Sequence, residues 1–148
     1  VEGVRVVGKV SATAWYTSED QFDPIDDDDV ERVPSVSGYP VDWQFGMIVD
    51  GNCLNKIAQD GDRLVCLDLI KSQIDITEGD LVIVERLRFN GQMRQRTAKR
   101  VKKTRNGFEL WPESDDPAHQ EPIRLDKASE GDDDIRVWAK VLWILHKP

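Results

Sequence analysis

The sequence predicts a single, mainly β domain. Apolar residues recur at two-residue spacing in several short runs, and no long segment repeats them at the 3.6-residue spacing of an amphipathic helix. The runs are rich in β-branched and aromatic residues, which are typical of strands. A chain of 148 residues has the length of one domain with one core. We therefore expect one β-rich domain over residues 1–148.

Five runs give the clearest strand predictions. They lie at residues 4–10, 43–49, 63–69, 81–89 and 135–145. Between the first two, Pro24, Pro34 and Pro40 interrupt residues 21–42. Proline limits regular hydrogen bonding, so this stretch is predicted to be a long irregular connection.

Two Asn-Gly pairs, Asn90-Gly91 and Asn106-Gly107, stand between strand-like sequences. Asn and Gly tolerate the positive φ that both central residues of a type I′ hairpin turn require. We therefore expect residues 81–111 to form a three-stranded meander. Its second and third strands are predicted at residues 92–103 and 108–111.

Composition narrows the function classes. The chain has 28 acidic and 20 basic residues, a net charge of −8, which opposes binding to a phosphate backbone by this chain itself. It contains no apolar run long enough for a membrane span and no signal sequence, so a cytoplasmic protein without membrane contact is expected. Cys53 and Cys66 are the only cysteines, which predicts free thiols, and Cys66 is expected in the core. No metal site and no cofactor are predicted.

Two stretches carry the candidate chemistry. Residues 51–57 read GNCLNKI and follow the second predicted strand, and an Asp-Gly-Asp sequence at residues 60–62 opens the third. Farther along, residues 97–101 read TAKRV and place Lys99 on the middle strand of the predicted meander. His119 and His146, the two histidines, lie outside both stretches and are expected to be exposed without a catalytic role.

This order of motifs resembles the LexA/signal-peptidase family of Ser-Lys self-cleaving peptidases, which includes the C-terminal domains of LexA-like and phage CI-type repressors. In that family a strand leads into Gly-x-Ser-Met and an Asp-Gly-Asp turn, and a lysine-arginine pair follows on a later strand. Cys53 matches the nucleophilic serine and Lys99 the catalytic lysine. The resemblance implies a fold of twisted, mostly antiparallel sheets with little helix.

The segment VGKVSAT at residues 7–13 resembles the family sequence that holds the scissile Ala-Gly bond. Ala12 matches the residue before that bond, and Thr13 replaces the glycine after it. A β-branched residue restricts φ and ψ where glycine does not. Together with the Cys53 exchange, Thr13 leads us to expect that self-cleavage is impaired or lost.

The resemblance implies two functions that the sequence leaves open. The first is the C-terminal dimerisation and regulatory domain of a phage-type or LexA-like transcription repressor. Such a domain forms a homodimer and contacts DNA only through an N-terminal domain that these residues do not include. A RecA-like filament is a further candidate partner.

The second function is an active self-cleaving peptidase that uses a Cys53-Lys99 dyad to cut between Ala12 and Thr13. A lysine acts as a base only when it is neutral, and burial favours that state. A thiol beside a lysine can instead transfer its proton and form a thiolate-ammonium pair. Less favoured are a signal-peptidase relative that acts on other proteins and a β-rich interaction domain unrelated to the family.

Trp138 and Trp143 lie five residues apart on the last predicted strand. Side chains at that spacing point to opposite faces of a strand. One is therefore expected in the core and the other at a surface that contributes to the dimer, and the sequence leaves open which is which.

Overall fold

The computed structural model describes residues 3–11, 15–17, 31–125 and 134–148. Within these ranges ten strands form one mixed sheet. The strands are β1 (Val4–Val10), β2 (Tyr16–Thr17), β3 (Arg32–Val33), β4 (Gln44–Val49), β5 (Arg63–Asp68), β6 (Leu81–Arg88), β7 (Met93–Thr104), β8 (Gly107–Pro112), β9 (Ile123–Arg124) and β10 (Asp134–Leu145). The helical elements are α1 (Leu69–Ser72) and two 3₁₀ turns at Val41–Trp43 and Pro117–His119.

The strand order across the sheet is β3-β1-β4-β5-β10-β6-β7-β8-β9, and β2 pairs with β7. Among these pairs β1 and β4 run parallel, and the others are antiparallel. The prediction of a mainly β, mostly antiparallel fold with little helix is therefore confirmed. No helix in the described ranges is long and apolar enough to cross a membrane.

The predicted meander is present, because β6 pairs with β7 and β7 with β8. The stretch predicted as an irregular connection is described only from residue 31 onward, and there the prediction is wrong in one respect. Val33 of β3 pairs with Val4 and is buried in a small cluster with Val4 and Val6. Packing between the buried side chains of Val33 and Val4, which lie opposite each other, stabilises this short strand.

Of the two Asn-Gly pairs, the first has the predicted turn conformation and the second does not. Asn90 (φ 57°) and Gly91 (φ 87°) both have positive φ, and Gln92 N–H donates to the Phe89 carbonyl at 3.2 Å, while Phe89 (φ 53°) also has positive φ. At the second hairpin Thr104 pairs with Gly107, so residues 105–106 form the turn, and neither has a positive φ. There the register of the strands, and not the Asn-Gly pair, sets the position of the turn.

The sheet curls so that its N-terminal strand meets β7, although four strands separate them in the order. Ser11 N–H, at the end of β1, donates to the Arg96 carbonyl on β7 at 2.8 Å. Tyr16 of β2 then pairs with Arg94 on the same strand. Inside the curl lies the main core cluster, to which Val10 and Ala98 both belong. Ser11 and Tyr16 are therefore both held against the strand that carries Lys99.

A buried carboxylate organises the neighbouring face of the sheet. Glu85 on β6 is fully buried and lies directly opposite Arg96 on β7 and Arg136 on β10. It accepts from Arg96 Nε at 2.9 Å and also contacts the Arg136 guanidinium. The Arg96 guanidinium lies 4.5 Å from the Trp138 ring centroid. Such a buried charge is tolerated because it is paired on both sides.

The two tryptophans of β10 lie in different environments. Trp138 stacks on Phe45 with ring centroids 4.3 Å apart, whereas Trp143 is 49% exposed. Cys66 is fully buried, as expected for a core residue.

Candidate active site

Cys53 lies on a loop between β4 and β5, the nucleophile loop (residues 50–58). Gly51 has φ +81°, which favours glycine, and its N–H donates to the Asp60 carboxylate at 2.8 Å. The Leu54 carbonyl then accepts from Ile57 N–H and Ala58 N–H, both at 2.8 Å, which closes one helical turn. Leu54 itself is fully buried. A short helical turn therefore begins directly after Cys53.

Asp62, the second aspartate of the Asp-Gly-Asp sequence, connects the C-terminus to the end of the nucleophile loop. The carboxylate of Asp62 accepts from Gln59 N–H at 2.9 Å and Lys147 N–H at 3.2 Å, and it lies 2.6 Å from His146 Nδ1. Burial opposes ionisation of Asp62, but these hydrogen bonds and the nearby His146 outweigh it and hold its pKa below the ordinary value. His146 is exposed as expected, but its structural contact was missed by the sequence analysis.

The nucleophile loop is also tied to the segment that follows β8. Asn55 and Asp115 exchange two hydrogen bonds, from Asn55 Nδ2 to the carboxylate at 2.6 Å and from Asp115 N–H to Asn55 Oδ1 at 3.0 Å. Asn52 Nδ2 donates to the Asp116 carboxylate at 2.9 Å. None of these four residues was predicted from the sequence as part of the site. The available signal was that Asp115 and Asp116 follow the predicted third strand of the meander.

The Cys53 side chain is almost completely enclosed, with 5% exposure. Its Sγ donates to the Val10 carbonyl at 3.8 Å, and Asp50 N–H donates to the same carbonyl at 2.9 Å. Burial raises the pKa of the Cys53 thiol to about 11, although the nearby Lys99 acts in the opposite direction. The thiol is therefore protonated at neutral pH.

Lys99 is half-buried on β7 and borders a cavity of about 510 Å³. Burial and the neighbouring Arg86 lower the pKa of its amine, while Cys53 acts to raise it. Each group thus shifts the pKa of the other, because the Cys53 thiol and the Lys99 amine lie close enough to interact electrostatically. Burial opposes the charged form of both groups, so the thiolate-ammonium alternative is disfavoured. The catalytic role of the pair stays a prediction.

Ala12 and Thr13, the predicted cleavage site, lie outside the described residues. The described residues on either side both contact the nucleophile loop through Asp50. Before the site, the Val10 carbonyl accepts from Asp50 N–H. After it, the Tyr16 hydroxyl is hydrogen-bonded to the Asp50 carboxylate, and burial together with Asp50 raises the pKa of Tyr16. The two flanks of the predicted site are thus held near Cys53.

The fold and the cleft define a class: a β-rich, peptidase-like domain in which a cysteine thiol and a lysine amine lie beside a segment of their own chain. Residues 5–142 match the Peptidase S24-like family, and the chain belongs to this family. An interaction domain unrelated to the family is therefore excluded.

The chain is similar to two LexA repressors, from Lacticaseibacillus casei and Lacticaseibacillus paracasei. It is 32% identical to each over 114 residues, which cover 76% of this chain and 48% of each relative. The chain therefore spans about half the length of the curated relatives it matches.

Proposed function

We propose that this chain is the C-terminal dimerisation and regulatory domain of a LexA-like transcription repressor in which self-cleavage is impaired at neutral pH. The family membership and the similarity to two LexA repressors support the class of protein. The net charge of −8 supports a division of labour in which a separate N-terminal domain contacts DNA. Residues 1–148 then act as one regulatory domain.

The proposal that self-cleavage is impaired rests on the protonated state of the Cys53 thiol. A thiol attacks an amide as the thiolate, and with a pKa of about 11 roughly one thiol in ten thousand is ionised at pH 7. From the tetrahedral intermediate, thiolate leaves more readily than amine unless the amine is protonated. A small thiolate fraction and this unfavourable partition of the intermediate together slow cleavage.

The second candidate function is a working self-peptidase, and the position of the flanking residues favours it. Val10 and Tyr16, the described residues on either side of the predicted cleavage site, contact Cys53 and Asp50. In this mechanism the Lys99 amine takes the thiol proton as Sγ attacks the Ala12 carbonyl. The Lys99 ammonium then protonates the Thr13 amine as the peptide bond breaks, and water hydrolyses the thioester.

Mass spectrometry of the chain after incubation at about pH 7 and about pH 10 separates these candidates. Impaired cleavage predicts an intact mass at pH 7, with at most slow cutting between Ala12 and Thr13 at pH 10. Any such cutting must disappear in Lys99→Ala and in Cys53→Ala. Rapid cutting at pH 7 that requires both residues would overturn the proposal and support the active peptidase.

Serine at position 53 and glycine at position 13 would restore the family pattern. Introducing them singly and together tests the two departures from that pattern. We expect the double variant Cys53→Ser with Thr13→Gly to be cut faster than either single variant. The serine recreates a Ser-Lys pair, and the glycine relaxes the backbone after the bond. An intact double variant would show that neither exchange causes the impairment.

A further inference from the structure

Arg86 lies on β6 beside the candidate base Lys99, although it was not among the site residues predicted from the sequence. It is directly opposite Gln95 on β7, and Lys99 follows Gln95 by four residues. Residues an even number of positions apart on a strand share one face of the sheet, and so do opposed residues of neighbouring strands. Arg86 and Lys99 therefore lie on the same face, where both line the cavity of about 510 Å³.

Arg86 differs from the neighbouring arginines in its lack of a carboxylate partner. Glu85, the preceding residue, is 2.9 Å from Arg96, and Arg100 is 2.7 Å from Glu113. Within the part of the chain that the structure describes, no carboxylate forms an ion pair with Arg86. A carboxylate partner largely cancels the field of a guanidinium at a distance, so the charge of Arg86 remains uncompensated.

The other groups around Lys99 add little charge of their own. Val82 on β6 and Pro112 on β8 stand directly opposite it in the sheet. The thiol of Cys53, on the nucleophile loop, is protonated at neutral pH. Glu121 is the acidic residue that lines the cavity, and water screens its charge because its side chain is exposed. The half-buried, uncompensated arginine is therefore the main charge at this amine.

A positive charge at this position disfavours protonation of the lysine. Like charges repel, so an uncompensated guanidinium makes the ammonium form of a nearby lysine less favourable than the neutral amine. Burial acts in the same direction, and burial and Arg86 together lower the pKa of Lys99. Desolvation and a neighbouring cation are the two means by which a lysine is activated in proteins.

We propose that Arg86 is a positioning residue of the candidate active site, whose uncompensated charge across the cavity increases the fraction of Lys99 that is neutral and able to accept a proton. This role rests on the proposed function of Lys99 as the base for the nucleophile at position 53. It assigns a purpose to the missing carboxylate partner, because an acidic residue beside Arg86 would cancel the effect.

Titration of the Lys99 amine measures this effect without reference to cleavage. In a Cys53→Ala background the chain has no nucleophile and no thiol titrates beside the amine. The ¹³C resonance of the Lys99 Cε is identified by its absence in Lys99→Met. We expect Arg86→Gln to move the midpoint of the Lys99 titration to higher pH by about one unit, and Arg86→Lys, which keeps the charge, to leave it nearly unchanged.

Arg105→Gln is the matched control, because it removes an exposed cation in the β7-β8 turn that does not line the cavity. An unchanged midpoint in Arg86→Gln, or an equal shift in Arg105→Gln, overturns the proposal. If Arg86→Gln does not fold, Arg86→Met, which keeps a long apolar side chain, decides the outcome by the same criterion.

The pH dependence of self-cleavage separates this role from a purely structural one. In the double variant Cys53→Ser with Thr13→Gly, we expect Arg86→Gln to move the rise of the cleavage rate to higher pH and to leave the rate at high pH nearly unchanged. Mass spectrometry of samples taken over time measures the rate. An equal loss of rate at every pH would show that Arg86 acts through structure alone. A double variant that stays intact would count against the working peptidase, and the Lys99 titration would still decide the role of Arg86.

Discussion

Single residues decide the chemistry of the cleft, and Cys53 shows how. A solvated thiol ionises near pH 8.5, yet burial raises the pKa of Cys53 to about 11. The same burial lowers the pKa of Lys99. Burial therefore opposes the charged form of both groups, and it withholds the thiolate from Cys53 at neutral pH. Such an environment suits a hydroxyl nucleophile better than a thiol.

The ionisation of Cys53 can be measured from thiolate absorbance near 240 nm. The difference between wild type and Cys53→Ala, followed against pH, is expected to show a midpoint near 11. Lys99→Met should move the midpoint higher, because the lysine charge stabilises the thiolate. A midpoint below about 8 would contradict a Cys53 thiol that is protonated at neutral pH.

Asp62 links stability to pH. The pKa of Asp62 is lower in the folded protein than its unfolded value of about 3.9, so its stabilising effect is present above about pH 4. The effect is lost as the pH falls through the folded pKa. We expect Asp62→Asn to lower the free energy of unfolding by about 1–3 kcal/mol at neutral pH, and by progressively less below pH 4.

Urea unfolding over this pH range measures the Asp62 effect. Asp75→Asn, at an exposed position, is the matched control and should change stability little at any pH. A difference between wild type and Asp62→Asn that stays constant with pH would show that the carboxylate charge contributes nothing.

At the scale of elements, the nucleophile loop is held by core packing on one side and by polar tethers on the other. Leu54 and Ala58 lie in the main core cluster, and Asn52 and Asn55 connect the loop to the segment after β8. The tethers fix the exposed side of the loop, which packing does not reach. The position of Cys53 therefore depends on residues about sixty positions later in the chain.

Loss of the Asn55 tether should loosen this loop. Asn55→Ala removes two hydrogen bonds to Asp115 and is expected to cost about 1 kcal/mol of stability. Hydrogen exchange at Ile57 and Ala58 should become faster. Lys56→Ala is the control, because its side chain is exposed. Unchanged exchange in Asn55→Ala would mean that the tether does not order the loop.

At the scale of the whole molecule, the curled sheet places β10 near its centre and leaves one tryptophan of that strand on the surface. Trp138 is used inside, against Phe45 and Arg96, so it does not serve an interface. Trp143 is the large aromatic side chain of β10 that remains exposed. A half-exposed tryptophan is a typical anchor of a protein interface.

We expect Trp143→Ser to weaken the proposed homodimer by about 2 kcal/mol, or roughly thirtyfold in dissociation constant. Sedimentation of the chain over a range of concentrations measures this. Trp111→Ser changes another exposed tryptophan, on β8, and should leave the dimer intact. A monomeric wild type, or equal weakening in both variants, would contradict a dimer through β10.

Much of the fold could be predicted because strand patterns are local. The alternating runs identified the long strands and the β6-β7-β8 meander, and the order of motifs led to the correct family. The local turn signal was correct at Asn90-Gly91 but failed at Asn106-Gly107, where the strand register makes residues 105–106 the turn. Strand β3 was missed because two residues carry no periodicity, and their partner lies on β1.

The sequence by itself determined the strands, the acidic charge, the family and the candidate positions Cys53 and Lys99. Only the tertiary structure decided that the cysteine is enclosed, that both flanks of the predicted cleavage site reach Asp50, and that Trp143 is the exposed tryptophan of β10. The physical reason is the range, along the chain, over which each kind of interaction acts. Periodicity and turn chemistry act between near neighbours, whereas desolvation and packing depend on groups that the folded sheet brings together from distant parts of the chain.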